Sequence, residues 1–129
     1  MIAVTALYAG ILALMLAALS LFVVQGRFKN KVSIGDGGNQ DMLARMRAHS
    51  NFIEYVPMAL LAIYLLEVTG HGAWLLHALG IVLVAARAAH PFGMMRKSPN
   101  PYRAAGSLLT LGVLIVAGVL LILTFLRGL

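Results

Sequence analysis

Residues 2–24 carry no charged side chain, and neither do residues 104–126. As α-helices rising about 1.5 Å per residue, both stretches are long enough to cross a hydrocarbon core of roughly 30 Å. Two more apolar runs lie between them, at 58–66 and 73–86. Of the 129 residues, 61% are hydrophobic and 11% charged, far from the balance of a soluble domain. The spacing predicts an all-α, four-helix transmembrane bundle in a single domain over 1–129. Its helices are expected at about 2–26, 41–68, 72–90 and 102–127. The first span is too long and lacks the basic start of a cleavable signal peptide.

The connections are legible too. Gly35-Asp36-Gly37-Gly38 marks a loop after the first span, and Asp41 is a plausible N-cap for the second. Pro57 predicts a kink in the second helix, and Pro91 predicts that the third ends near His90. Nine of the ten Lys and Arg residues flank the first and third loops, with only Arg127 beyond. The positive-inside rule then puts those loops in the cytoplasm and both termini outside. The net charge of +6 comes from these membrane-flanking cations, which fit a bilayer surface better than a nucleic acid. The chain has no cysteine, hence no disulfide, thiolate metal site or cysteine nucleophile. No metal cluster, phosphate loop or hydrolase triad is visible either.

The second helix carries the chemistry. Arg47, Asn51, Glu54 and Tyr55 lie at offsets that share one helical stripe, just before the apolar run at 58–66. Ionisable groups at a membrane mouth are expensive, and they usually face a bundle interior and mark a site. Asn51 offers donor and acceptor, Glu54 can accept from an ammonium, and Arg47 can clamp a carboxylate bidentately. A zwitterionic peptide needs those partners. The alternative is a purely structural pairing, with Arg47 reaching to the headgroups. A second group comprises Arg87 and His90 at the end of the third helix and Arg103 at the start of the fourth. A desolvated guanidinium lowers the pKa of a thiol beside it, so Arg103 could raise a thiolate fraction; it could equally be a headgroup anchor.

Arg47-Ala-His-Ser-Asn-Phe-Ile-Glu-Tyr-Val-Pro57, followed by Arg87-Ala-Ala-His90, resembles the MAPEG family, the membrane-associated proteins in eicosanoid and glutathione metabolism. The resemblance covers essentially the whole chain. Val32-Ser-Ile-Gly-Asp-Gly-Gly38 is most similar to the bacterial inner-membrane branch. The resemblance implies a homotrimer in a bacterial inner membrane, with glutathione as cosubstrate near the cytoplasmic side. It implies glutathione binding by Arg47, Asn51, Glu54, Tyr55, Arg87 and His90, and stabilisation of the thiolate by Arg103. Arg27 is the first choice for a further catalytic arginine, against an anchoring role. The implied activity is a glutathione transferase or peroxidase acting on a lipophilic small molecule from the bilayer. Two positions depart from the pattern: Met94 and Ser107 stand where relatives carry tyrosines. They favour the first alternative, a non-catalytic binder or scaffold of the same fold. A small proton-coupled multidrug exporter is the second; it would need a membrane carboxylate such as Glu54.

The remaining readings are structural. Gly10, Gly112 and Gly118 suit close helix packing in lipid, His49 a hydrogen-bonded helix position, Trp74 and His77 an outer interface, and Glu67 a solvated helix end.

Overall fold

The computed structural model describes residues 3–128, and they form four α-helices with no strand among them. These are α1 (Val4–Asn30), α2 (Gln40–Val68), α3 (Ala73–Met94) and α4 (Pro101–Arg127). All four are long and apolar enough to cross a membrane. The expected start of the first helix at residue 2 lies outside the described residues.

Three boundaries differ from expectation, each for a local reason. The first helix continues past residue 26 to Asn30, because Arg27, Phe28 and Lys29 prolong it until Lys31 takes a left-handed conformation (φ 55°). Asn39, not Asp41, caps α2: its side chain accepts from Met42 N at 2.9 Å. Asp41 sits in the first turn, where a carboxylate favours the positive end of the helix dipole. The third helix runs through Pro91 to Met94, since a proline removes one backbone donor without ending a helix whose side chains stay packed. The second likewise continues unbroken through Pro57.

The α2–α3 pair is the centre of the bundle. α1 packs on one side of it and α4 on the other, and α1 and α4 do not touch among the described residues. Leu12, Phe52, Ala59, Ile63, Leu66, Leu83 and Val113 form the buried core between them. Outward-facing Leu14, Leu21, Ile115 and Ile122 are exposed on the flanking helices, as expected for surfaces that meet lipid or another apolar protein face.

The close approaches are made by glycines other than those expected. A Cβ on Gly106 would lie 2.7 Å from the His90 Cβ, and one on Gly93 would strike the Arg103 backbone, so these two let α3 and α4 meet. Gly10, Gly112 and Gly118 face open space among the described residues, and packing within the single chain does not require them.

Two polar clasps hold the ends. At the end bearing the α1–α2 and α3–α4 loops, Arg45 is 6% exposed. It bonds to Asp41 at 3.1 Å and donates to Phe22 O at 2.9 Å, with its guanidinium carbon 4.0 Å from the Phe22 ring centroid. Asn30 donates to Asp41 at 2.7 Å and accepts from Asn39 at 3.2 Å, closing the loop onto both helices. At the opposite end Glu67 accepts from the first amides of α1, Val4 N and Thr5 N. It caps a neighbouring helix while staying partly exposed, a partner the expectation of a solvated helix end did not include. A helix N-terminus presents unpaired N–H groups and partial positive charge, so a carboxylate suits it.

Candidate functional site

The motif residues occupy the loop-end half of the bundle, on three helices. Successive turns of α2 place Arg47, Asn51, Glu54 and Tyr55 on one stripe, as expected. Arg47 Nη1 lies 3.8 Å from Glu54 Oε1, with their side chains 53% and 48% exposed. The pair is therefore loose and faces out of the bundle. Asn51 and Tyr55, half-buried, turn toward α3 and α4.

Arg87 comes from α3 to meet them. It is 1% exposed, and its Nη1 donates to Asn51 Oδ1 at 2.7 Å. Arginine can only donate, so this bond fixes the carboxamide oxygen inward and leaves the Asn51 NH2 for other partners. The Arg87 Nε and Nη2 have no partner among the described residues. Asn51, Tyr55, Arg87, Ser107, Thr110 and Leu111 line a cavity of about 40 Å³ beside it. His90, one turn further along α3, is also buried, under Gly106 of α4.

The other candidates stand at the margin. Arg103 is exposed at the start of α4, and its Nη1 donates to Ser98 Oγ at 3.2 Å. Arg27 donates to Gly35 O at 3.1 Å and Val32 O at 3.4 Å, so its guanidinium is bound up with the α1–α2 loop. His49 is hydrogen-bonded as expected, its Nε2 lying 3.0 Å from Ser20 Oγ.

Sequence reasoning missed the Arg87–Asn51 bond and the burial of Arg45. The first joins residues 36 apart; for the second only the Asp41–Arg45 spacing was local, while the contacts that bury Arg45 come from Phe22 and Gln25 on another helix. His77 was expected at an interface; its Nδ1 lies 2.8 Å from Tyr8 OH, binding α3 to α1.

A four-helix chain of membrane-spanning length with a polar stripe near one mouth defines a class of small multi-span membrane proteins. The MAPEG family model matches residues 5–123 of the chain. Two Escherichia coli proteins, each called inner membrane protein YecN, from strains K12 and O6:H1, are 40% identical to it over 90 residues. That alignment covers 70% of this chain and 69% of each relative. No solved structure matches. The chain belongs to the MAPEG family.

Proposed function

We propose that the protein is a homotrimeric inner-membrane protein that binds glutathione between subunits near the cytoplasmic face and transfers it to lipophilic electrophiles. The observation that carries this reading is the half-exposed Arg47–Glu54 pair, on the outside of a subunit whose exterior is largely apolar. In a bilayer such a pair needs polar company, and a zwitterionic peptide held against a neighbouring subunit provides it. Glutathione fits the donor set: Arg47 suits a carboxylate, Glu54 suits the α-ammonium, and the Asn51 amide is left to donate to a carbonyl or carboxylate. Arg87 and His90 lie behind that surface, and Arg87 holds Asn51 in place.

The chemistry asked of the protein is small. A thiol titrates near ~8.5, and a guanidinium beside it raises the thiolate fraction at neutral pH. Arg103 would take that role by exchanging its Ser98 bond for the sulfur. The thiolate then forms a C–S bond to the electrophilic carbon, and the leaving group departs with the electron pair. Holding the two reactants in register supplies the remaining acceleration. Arg27, bound up with the loop, serves the loop and the anionic leaflet in this reading.

A second reading, binding without turnover, is favoured by Met94 and Ser107 at positions where related enzymes carry tyrosine, and by the surface position of Arg103. The exporter reading is weaker because Glu54 is already paired with Arg47 instead of standing alone. Calorimetric titration of the detergent-solubilised protein with glutathione, followed by a conjugation assay with a generic aromatic electrophile, separates the readings. Saturable binding with turnover is expected. Binding alone leaves the scaffold reading, and no binding removes both.

A further inference from the structure

Arg87 poses a problem that the glutathione reading leaves open. Its guanidinium stays charged at any working pH, it is 1% exposed, and it lies inside a bundle of membrane-spanning helices. Its one hydrogen bond goes to a neutral amide oxygen. The chain has four carboxylates. Among the described residues Asp41 pairs with Arg45, Glu54 with Arg47, Glu67 accepts from the α1 amides, and Asp36 accepts from Gly38 N. None serves Arg87. A buried charge without a counter-charge is strongly destabilising.

The cavity next to it has matching chemistry. Arg87 presents only donors there, and two of its nitrogens are unpartnered among the described residues. Asn51 has its oxygen engaged, so its NH2 remains. The Tyr55 and Ser107 hydroxyls, on the same walls, can rotate to donate. Thr110 spends its proton on Gly106 O at 2.7 Å, and Leu111 closes an apolar side. The cavity wall is largely apolar, and the few donors on it, beside an uncompensated cation, select an anion. A water needs roughly 10–15 Å³ of such space. About 40 Å³ therefore admits a halide or one carboxylate terminus.

We infer that the cavity between α2, α3 and α4 is a binding site for a small monovalent anion, of chloride size, that neutralises Arg87 within each subunit. The anion is either inorganic chloride or, on the glutathione reading, one carboxylate of the bound peptide reaching past Asn51. In both cases it holds Arg87 and Asn51 in the arrangement that presents the Asn51 amide to the stripe.

The test is thermal unfolding of the full chain in detergent. Sodium chloride is titrated against sodium gluconate at constant ionic strength, gluconate's substituted, hydroxyl-bearing α-carbon being bulkier than the methylene that carries the glycyl carboxylate of glutathione. A saturable rise in Tm with chloride is expected. Ser107→Ala removes one donor but keeps the charge, and should raise the half-saturating chloride concentration about tenfold. Arg87→Gln should abolish the response; if that variant does not fold, Ser107→Ala carries the test alone. Repeating the titration at saturating glutathione separates the sources. Loss of the chloride response, together with weaker glutathione binding in chloride, assigns the site to a peptide carboxylate. A response that persists assigns it to the inorganic ion. A chloride response in a protein that fails to bind glutathione leaves the anion site standing and removes the peptide reading. No saturable chloride response in the wild type, or one untouched by Ser107→Ala, overturns the inference.

Discussion

The two ends of the bundle use polar groups in opposite ways. At the end away from the long loops, several polar side chains meet partners within the chain, although the buried Thr5 Oγ1 has none among the described residues. Glu67 caps α1, Tyr8 OH lies 2.8 Å from His77 Nδ1, and Thr124 Oγ1 lies 3.3 Å from His71 Nε2. At the loop end, beside the closed clasp of Arg45, Asp41 and Asn30, a second set is matched only loosely or in part. Arg47 and Glu54 meet at 3.8 Å in the open, and Arg87 has two nitrogens without partners among the described residues. Polar groups that satisfy one another hold a fold together. Groups left over, in a chain that must live in lipid, are aimed at something else. On the proposed reading, the loosely held groups of the loop end are the ones that meet a ligand, while the clasp beside them and the groups of the far end hold the fold.

The largest effect should come from the matched end. Glu67→Ala leaves the first amides of α1 without their acceptor and should lower stability by about 2–3 kcal/mol, read as a fall in Tm, with glutathione affinity unchanged. If affinity falls as well, the two ends are not separable.

Arg47→Ala and Glu54→Ala should behave in the reverse manner. Each should weaken glutathione binding by about 2 kcal/mol in calorimetry, because each strands a charge of the ligand. Stability should hardly move, since the pair is half-exposed and such pairs are worth about 0–1 kcal/mol. Folded variants with wild-type affinity would reduce the stripe to a structural role.

Chemistry comes next. Arg103→Leu should keep glutathione affinity while conjugation falls about tenfold, equivalent to roughly 1.4 kcal/mol. The thiolate absorbance of bound glutathione at neutral pH should fall with it. Arg103→Lys should restore only part, since a point charge on a flexible stem does not reproduce the planar fork. Unchanged turnover in Arg103→Leu would leave Arg103 as a headgroup anchor.

The smallest effect is again at the matched end. Tyr8→Phe removes the hydroxyl that meets His77 and should lower stability by about 1 kcal/mol without touching binding.

The sequence carried one kind of information well. The four spans and the stripe are local patterns, set by hydropathy and by helical spacing, so both were legible. Whether a polar residue on such a pattern is matched depends on residues far along the chain. Glu67 reads as a solvated helix end until the start of α1, more than sixty residues earlier, is found beside it. Arg45 and Arg47 read alike as flanking cations, yet one is buried in a clasp with α1 and the other stands half-exposed. The glycines teach the same point. Gly10, Gly112 and Gly118 sit in apolar runs that suggest packing, while the contacts within the chain fall on Gly93 and Gly106, where α3 and α4 meet, and on Gly26 and Gly80, between α1 and its neighbours. Pro91 was misleading because its ring acts on the local backbone, whereas the packing of α3 against α4 carries the helix onward.

The central claim is that the loosely paired stripe at the loop end is completed by glutathione held between subunits. A structure of the protein in lipid nanodiscs at saturating glutathione tests it most directly. The account predicts a trimer with tripeptide density at each subunit interface, a carboxylate against Arg47 and the ammonium against Glu54. A monomer, or an assembly whose Arg47 and Glu54 face lipid or each other with no peptide between subunits, would contradict it.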